Sequence, residues 1–268
     1  MPLVQLIVLA LIQGITEFLP VSSSAHLILI PKLVDGWADQ GPLIDVASHV
    51  GTLIAVVIYF RSETAVLFRG GLDALQFRET NARRLFFMIS AGTVPIVVAG
   101  GVLILFGWVE ALRSPTVIGW AFIIFGILLW HSDREVEHKG DVGELAWKDA
   151  IVIGVAQAIA LIPGTSRSGV TITASRYLGW SRTQAARYSM LLSIPTITIG
   201  GFFALLELLQ NGTAQHVEAA AIVTILSFAF AMVSIAVLMW FARTASFTPF
   251  VIYRLVVGVL ILVYVNNG

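Results

Sequence analysis

The sequence predicts an all-α integral membrane protein, with about six transmembrane helices plus two re-entrant helix hairpins arranged as an inverted-topology repeat. Three observations carry that expectation. Of 268 residues, 57% are hydrophobic and 12% charged, with a mean hydropathy of +0.90, whereas soluble domains carry about 25% charged residues. Six apolar runs, near 43–60, 84–107, 115–131, 184–209, 217–241 and 248–266, match or approach the roughly 20 residues that a helix needs to cross a hydrocarbon core. Two further apolar regions, 3–34 and 148–179, are interrupted in the middle. The formal net charge is +0, so no basic field calls for a nucleic acid. Cysteine is absent, which excludes disulfides and thiolate chemistry. The first basic residue is Lys32. With no charged leader ahead of it, the first apolar stretch is expected to stay in the mature protein.

Taken in order, region 3–34 breaks at Pro20, followed by Ser22, Ser23 and Ser24. Each half is too short to span and suits a re-entrant hairpin. The runs 43–60, 84–107 and 115–131 follow as spans, with 61–83 and 132–148 read as loops, the latter a solvated connection. Region 148–179 breaks at P-G-T-S-R-S, residues 163–168, and makes the second hairpin. Spans 184–209, 217–241 and 248–266 complete the chain. The last is marked by Thr248 as a cap and Pro249 at the first helical position, where no N–H is needed. Irregular backbone at membrane depth is tolerated only where protein buries it or a wet cavity meets it, so both breaks are expected to line a site.

Basic residues test the layout. If both hairpins return to the side they enter from, one side holds Arg61, Arg69, Arg78, Arg83, Arg134, Lys139, Lys148, Arg176, Arg182, Arg187 and Arg243, with Arg84 at a border. The other holds Lys32 and Arg113. The positive-inside rule makes the rich side cytoplasmic and places both termini outside. Each half then has one hairpin and three spans, which gives a single membrane domain, 1–268, with repeats of about 1–131 and 148–268. Q-G-I-T-E-F-L-P before the first serines echoes Q-A-I-A-L-I-P before the second. Inverted repeats with broken helices that meet near the midplane also build many secondary transporters.

A helix restarting at Ser22 or Ser23 and another near Ser166 or Arg167 would each present unpaired N–H groups and a partial positive charge. Together with a fixed guanidinium they describe an anion site, with phosphate the natural occupant. Glu17 would repel that anion unless it holds a divalent cation or acts as a general base. Gln13 lies one turn earlier, on the same face. His26, three residues after Ser23, is placed to activate that serine or protonate a leaving oxygen. A charge at the helix centre costs about 2.5 to 3.5 kcal/mol even on insertion scales, so Glu17 and Arg167 require a function or each other. One serine of the three is expected to be a cap. His49 is open to either a structural or a chemical role and is read as structural, Arg254 as structural or snorkelling, and Asp45 and Glu207 as interfacial.

With these residues assembled, the chain resembles the bacitracin-resistance family of undecaprenyl pyrophosphate phosphatases. The likeness rests on Q-G-I-T-E-F-L-P-V-S-S-S-A-H at 13–26, P-G-T-S-R-S-G-V-T at 163–171 and T-P-F-V-I-Y-R at 248–254. It implies removal of the terminal phosphate from a C55 isoprenoid pyrophosphate at a bacterial plasma membrane, in a site open to the outer face. It implies Glu17, Ser23 and His26 as catalytic residues, with Ser23 the proposed nucleophile. Pyrophosphate binding would fall to Gly164, Ser166, Arg167 and Ser168, helped by Gln13, Ser22, Ser24 and Thr171. A divalent cation, Mg²⁺ or Ca²⁺, is implied at Glu17. Gln13 stands where some members carry a second glutamate, and Ala25 where relatives have glycine. The spacing leaves open whether Glu17 or His26 is the base, and whether serine or water attacks. The expected partners are the prenyl pyrophosphate and membrane lipid, and a homodimer is left open. A transporter or flippase of a phosphorylated lipid is the rival reading.

Overall fold

The structure, a computed structural model, describes residues 2–34, 36–37, 41–137, 146–211 and 214–267. It is helical throughout these, in the order α1 (Leu3–Thr16), α2 (Ser23–Leu33), α3 (Gly41–Tyr59), α4 (Arg61–Leu75), α5 (Asn81–Leu105), α6 (Val109–Leu112), α7 (Pro115–Ser132), α8 (Trp147–Ile159), α9 (Arg167–Tyr177), α10 (Arg182–Asn211), α11 (Ala214–Thr244) and α12 (Thr248–Asn267). The six expected spans are α3, α5, α7, α10, α11 and α12. By length and composition Asn81–Leu105, Pro115–Ser132, Val217–Thr244 and Thr248–Asn267 can each cross a membrane. The two broken regions are the pairs α1/α2 and α8/α9.

Segment 61–83 departs from its expected loop. Arg61–Leu75 is helical and bends 95° from Leu43–Tyr59. Leu67, Gly70 and Asp73 are its buried residues, and it packs on α5. The bend at Phe60 lets an amphipathic stretch lie across the end of the bundle, a geometry that loop composition alone does not reveal. At Gly70 a Cβ would stand 2.1 Å from the Ala82 carbonyl oxygen.

Helix pairing follows the exchange of two halves. The leading arm of the first hairpin, α1, packs on α11, and its counterpart α8 packs on α5; α3 faces α10 and α7 faces α12. Small residues allow these approaches, as expected where lipid removes the hydrophobic drive between helices. A Cβ at Gly14 would lie 2.8 Å from Ser227 O, and one at Gly154 would lie 2.6 Å from Gly92 O. The core includes Phe18, Val56, Leu129, Leu191 and Leu238.

Four expected basic loops share one face. Arg187 pairs with Glu63, Arg182 Nε donates to Asp133 Oδ1 at 2.6 Å, Phe247 N donates to Asp133 Oδ2 at 3.0 Å, and Thr183 Oγ1 donates to Ala242 O at 3.1 Å. Residues 132–137 are therefore part of a polar network, since Arg176, 1% exposed, also donates to Glu137 Oε1 and Glu135 O. The solvated connection expected at 132–148 does not describe that portion; 138–145 lie outside the described residues. Asp45, expected to be interfacial, is half-buried in the first turns of α3, and the side chain of Glu207 lies outside the described residues.

Candidate active site

Both hairpin arms restart in the same way. Ser22 stands at the N-cap position of α2 with φ 73 and makes no side-chain capping bond, and Ser166 stands at that of α9 with φ 70 and accepts from Gly169 N. These are two of three non-glycine residues with positive φ among the described residues, a conformation costing about 1–3 kcal/mol that persists only when surroundings enforce it. The enforcement comes from Arg254, 0% exposed. Its Nη1 donates to Pro20 O at 3.2 Å and Thr165 O at 2.9 Å, its Nη2 to Ala121 O at 3.2 Å and Gly164 O at 2.9 Å, and its Nε to Phe122 O at 3.3 Å. One guanidinium thus holds the backbone just before each restart. The structural reading of Arg254 stands, but it does not snorkel: its charge ends inside the protein.

The two tips meet. Gly164 N donates to Ser22 Oγ at 3.1 Å, and Ser168 Oγ donates to Leu19 O at 3.1 Å. Ser166 Oγ lies 3.2 Å from Ser168 Oγ and accepts from Gly169 N at 3.2 Å. Ser22 Oγ and Ser24 Oγ are 3.3 Å apart. Thr171, expected at the pyrophosphate, instead bonds Arg167 O at 2.9 Å and Ser189 Oγ at 2.7 Å; it lies a turn into α9 and is fully buried. Its position supports Ser189, whose carbonyl accepts from Arg167 Nη1 at 3.2 Å.

Glu17 is the centre. Its Oε1 accepts from Arg167 Nη2 at 3.0 Å, and its Oε2 from Ser23 Oγ at 2.7 Å and Gln13 Nε2 at 3.0 Å. The carboxylate is 7% exposed, which is bearable because each oxygen has a partner. Glu17, Ser23 and Arg167 open onto a cavity of about 290 Å³ that also meets Ser22, Ser24, Ser166, Thr196 and Gly200. Val46 and His49 line it from the first half of α3, and Thr196 to Gly201 from the later part of α10. The cavity therefore lies away from the face that gathers the basic loops.

The two histidines stand on different surfaces of the site. Ser23 gives its hydroxyl to Glu17, while the His26 ring reaches Ser22 O through Nδ1 at 2.6 Å and Tyr253 OH through Nε2 at 2.5 Å. It turns to the other side of α2, onto an apolar groove of about 360 Å³ between α2, α7 and α12, lined by Ala25, Leu29, Phe122, Tyr253 and Val257 among others. The expected pairing of Ser23 with His26 is not made: although i and i+3 side chains are neighbours on a helix, the Ser23 hydroxyl is taken by Glu17 and the His26 ring by Ser22 O and Tyr253. His49 makes an interhelix contact, with Nε2 3.6 Å from Glu17 Oε2, and also lines the cavity. A signal for it existed: Asp45, Ser48, His49 and Thr52 fall at i, i+3, i+4 and i+7, one polar stripe along an apolar helix.

Among the described residues no three His, Cys, Asp or Glu side chains converge as a metal cluster. Gln13, 0% exposed, has an Oε1 with no hydrogen-bond partner. An orphaned carbonyl oxygen beside a carboxylate fits a hard cation that completes its shell with substrate and water oxygens. Chemically, the site offers a hydroxyl on a carboxylate, a guanidinium, and two helix starts facing one anion-sized space.

Comparison with known proteins points the same way. The family model described as bacitracin resistance protein BacA matches residues 6–260. The chain is 48% identical over 267 residues to the undecaprenyl-diphosphatase of Maricaulis maris, covering 98% of this chain and 99% of that protein. It is 49% identical over 268 residues to undecaprenyl-diphosphatase 2 of Stutzerimonas stutzeri, covering 98% of each. A third relative, the undecaprenyl-diphosphatase of Ruegeria pomeroyi, is 47% identical over 263 residues.

Proposed function

The chain belongs to the bacitracin resistance protein BacA family, and from that premise we propose that it hydrolyses undecaprenyl pyrophosphate to undecaprenyl phosphate and inorganic phosphate within a bacterial plasma membrane, recycling the lipid carrier of cell-wall synthesis. The observation that carries the mechanism is Ser23 Oγ at 2.7 Å from Glu17 Oε2, with Arg167 on the other carboxylate oxygen. The diphosphate enters the cavity with its terminal phosphate against Arg167 and the first turns of α2 and α9, where N–H groups and dipoles favour an anion. Ser23 attacks that phosphorus as its proton passes to Glu17. The P–O bond to the inner phosphate breaks, releasing the prenyl monophosphate. Water then cleaves the phosphoserine, and its proton traffic returns through Glu17. Arg167 and the helix starts stabilise the charge that spreads over the transferring phosphoryl group.

Glu17 takes the role of base on geometric grounds, since both ring nitrogens of His26 are engaged elsewhere. The prenyl chain is assigned to the apolar groove on the far side of α2, and His26 with Tyr253 marks its polar inner end. A divalent cation would be held by Glu17 and Gln13 Oε1 with the diphosphate oxygens, and would supply charge neutralisation when bound. The positive-inside rule applied to the shared basic face puts the cavity on the outer side.

Purified protein in detergent, given C55 pyrophosphate and Mg²⁺, is expected to release phosphate. Ser23→Ala and Glu17→Gln are each expected to reduce this by at least about 10⁴-fold, in the range seen when a nucleophile or its partner is removed. Full activity in Ser23→Ala would replace the covalent step with direct attack by water. Movement of lipid across vesicles without phosphate release would overturn the hydrolase reading in favour of a transporter.

A further inference from the structure

We propose that His49 Nε2 is a ligand of the divalent cation, which binds at the Oε2 edge of Glu17 in a mixed nitrogen and oxygen site. The inference rests on the phosphatase reading only in placing the cation in the same cavity. Its starting point is a contact that is not a hydrogen bond: Nε2 stands 3.6 Å from Glu17 Oε2, beyond the distance at which a proton is shared. Two ligands bound to one cation at about 2.0–2.2 Å each stand roughly 3 Å apart, so a small movement of the ring brings both atoms onto one ion.

The tautomer is already set for this. His49 Nδ1 lies 2.7 Å from Asp45 O, and a carbonyl only accepts, so Nδ1 carries the proton and the neutral ring directs its Nε2 lone pair toward Glu17. Metal-bound histidines characteristically donate their second ring N–H to a carbonyl or carboxylate in this way. Burial supplies an independent indication. Gln13 Oε1 is enclosed without a partner, and its amide nitrogen is 3.0 Å from Glu17 Oε2. A half-turn of that amide puts the unpaired oxygen next to the same carboxylate edge, a placement that repels unless a cation lies between them. Arg167 occupies Oε1, and Oε2 accepts from Ser23 Oγ and Gln13 Nε2; the half-turn of the amide removes the second of these donors and opens that edge of Oε2 to a cation.

The ligand set fixes the metal class. Ca²⁺ takes oxygen ligands, whereas imidazole suits Mn²⁺ and later first-row ions. In this chain an imidazole thus supplies the donor that an amide at position 13 provides only weakly. The cation is expected to be held without substrate, and to prefer Mn²⁺, Co²⁺ or Zn²⁺ over Ca²⁺.

The test is pulsed electron paramagnetic resonance of the purified full chain loaded with Mn²⁺ and no lipid substrate. Wild type is expected to show electron spin echo modulation from a directly bound imidazole ¹⁴N. His49→Gln is expected to lose it and to bind Mn²⁺ about 10- to 100-fold more weakly, at least the loss that follows removal of an outer-shell partner. His26→Gln is expected to keep the signal. The proposal is overturned by a wild type that binds no Mn²⁺, by bound Mn²⁺ without nitrogen modulation, or by modulation that survives in His49→Gln. Circular dichroism and size-exclusion profiles of His49→Gln establish that it is folded; His49→Asn serves if it is not. Phosphate release from C55 pyrophosphate by the same wild-type preparation tests the phosphatase reading separately, because the nitrogen signal requires no turnover.

Discussion

Arg254 gives all five of its N–H groups to backbone carbonyls and pairs with no carboxylate among the described residues, whereas Arg167 gives one to Glu17 and one to the Ser189 carbonyl and lines the cavity. Both lie inside the helix bundle, Arg254 fully buried and Arg167 half-buried. What separates them is whether the donors are spent. A saturated guanidinium is a fixed part of the scaffold; one with donors to spare beside a cavity is an anion site. The same contrast divides the two histidines, since His26 is engaged at both nitrogens and His49 at one by a backbone carbonyl.

The largest effect that would sharpen this contrast is expected at the saturated residue. Arg254→Met leaves the non-helical carbonyls of Pro20, Gly164 and Thr165 without this donor in a buried interior, at about 1–3 kcal/mol each, a large part of the stability of a domain at about 5–15 kcal/mol. The variant is expected to aggregate or to melt far below wild type in a detergent thermal scan, with activity lost as a consequence. Recovery of a well-folded Arg254→Met would break the assignment of this residue to the scaffold.

Arg167→Lys keeps the charge but loses the planar fork. It is expected to melt within a few degrees of wild type while kcat falls by about 10² to 10³, the range for removal of one preorganised donor. A large loss of melting temperature with near-normal turnover would reverse the roles of the two arginines. Ser168→Ala removes the Ser168 Oγ bond to Leu19 O that joins the tips; the expected cost is about 1 kcal/mol of stability, read as a small shift of the unfolding midpoint. The smallest effect is expected at Tyr253→Phe, which deprives His26 Nε2 of its partner at the mouth of the groove. Its turnover is expected to stay within about tenfold of wild type, below the 10²- to 10⁴-fold effect of a positioned acid or base. A drop beyond that range would bring His26 and Tyr253 back into the chemistry.

Much of this was legible in the chain. Each apolar run expected to span is one helix, because hydrophobic length is a local property that needs no partner to be read. The restarts at Ser23 and Arg167 were legible for the same reason: Pro20 and the P-G-T-S stretch break helices locally. The bend at Phe60 was not, because an amphipathic helix lying across a bundle has the composition of a loop. Where His26 and His49 point was not legible for a different reason. Spacing from Ser23 says which residues share a helix, but only rotation of α2 against α7 and α12, and of α3 against α1, says which histidine meets Glu17.

Sequence by itself determined the class of solvent, the spans, the two breaks and the chemistry of an anion site with one carboxylate and one guanidinium. Those are consequences of hydrophobic periodicity, proline and charge, all of which act over a few neighbouring residues. Tertiary structure decided that Glu17 takes the Ser23 hydroxyl, that His49 faces the cavity and His26 the groove, and that Arg254 fastens both tips. These contacts join residues as far apart as 234 positions. Their geometry is set by how whole helices pack, which no local pattern encodes.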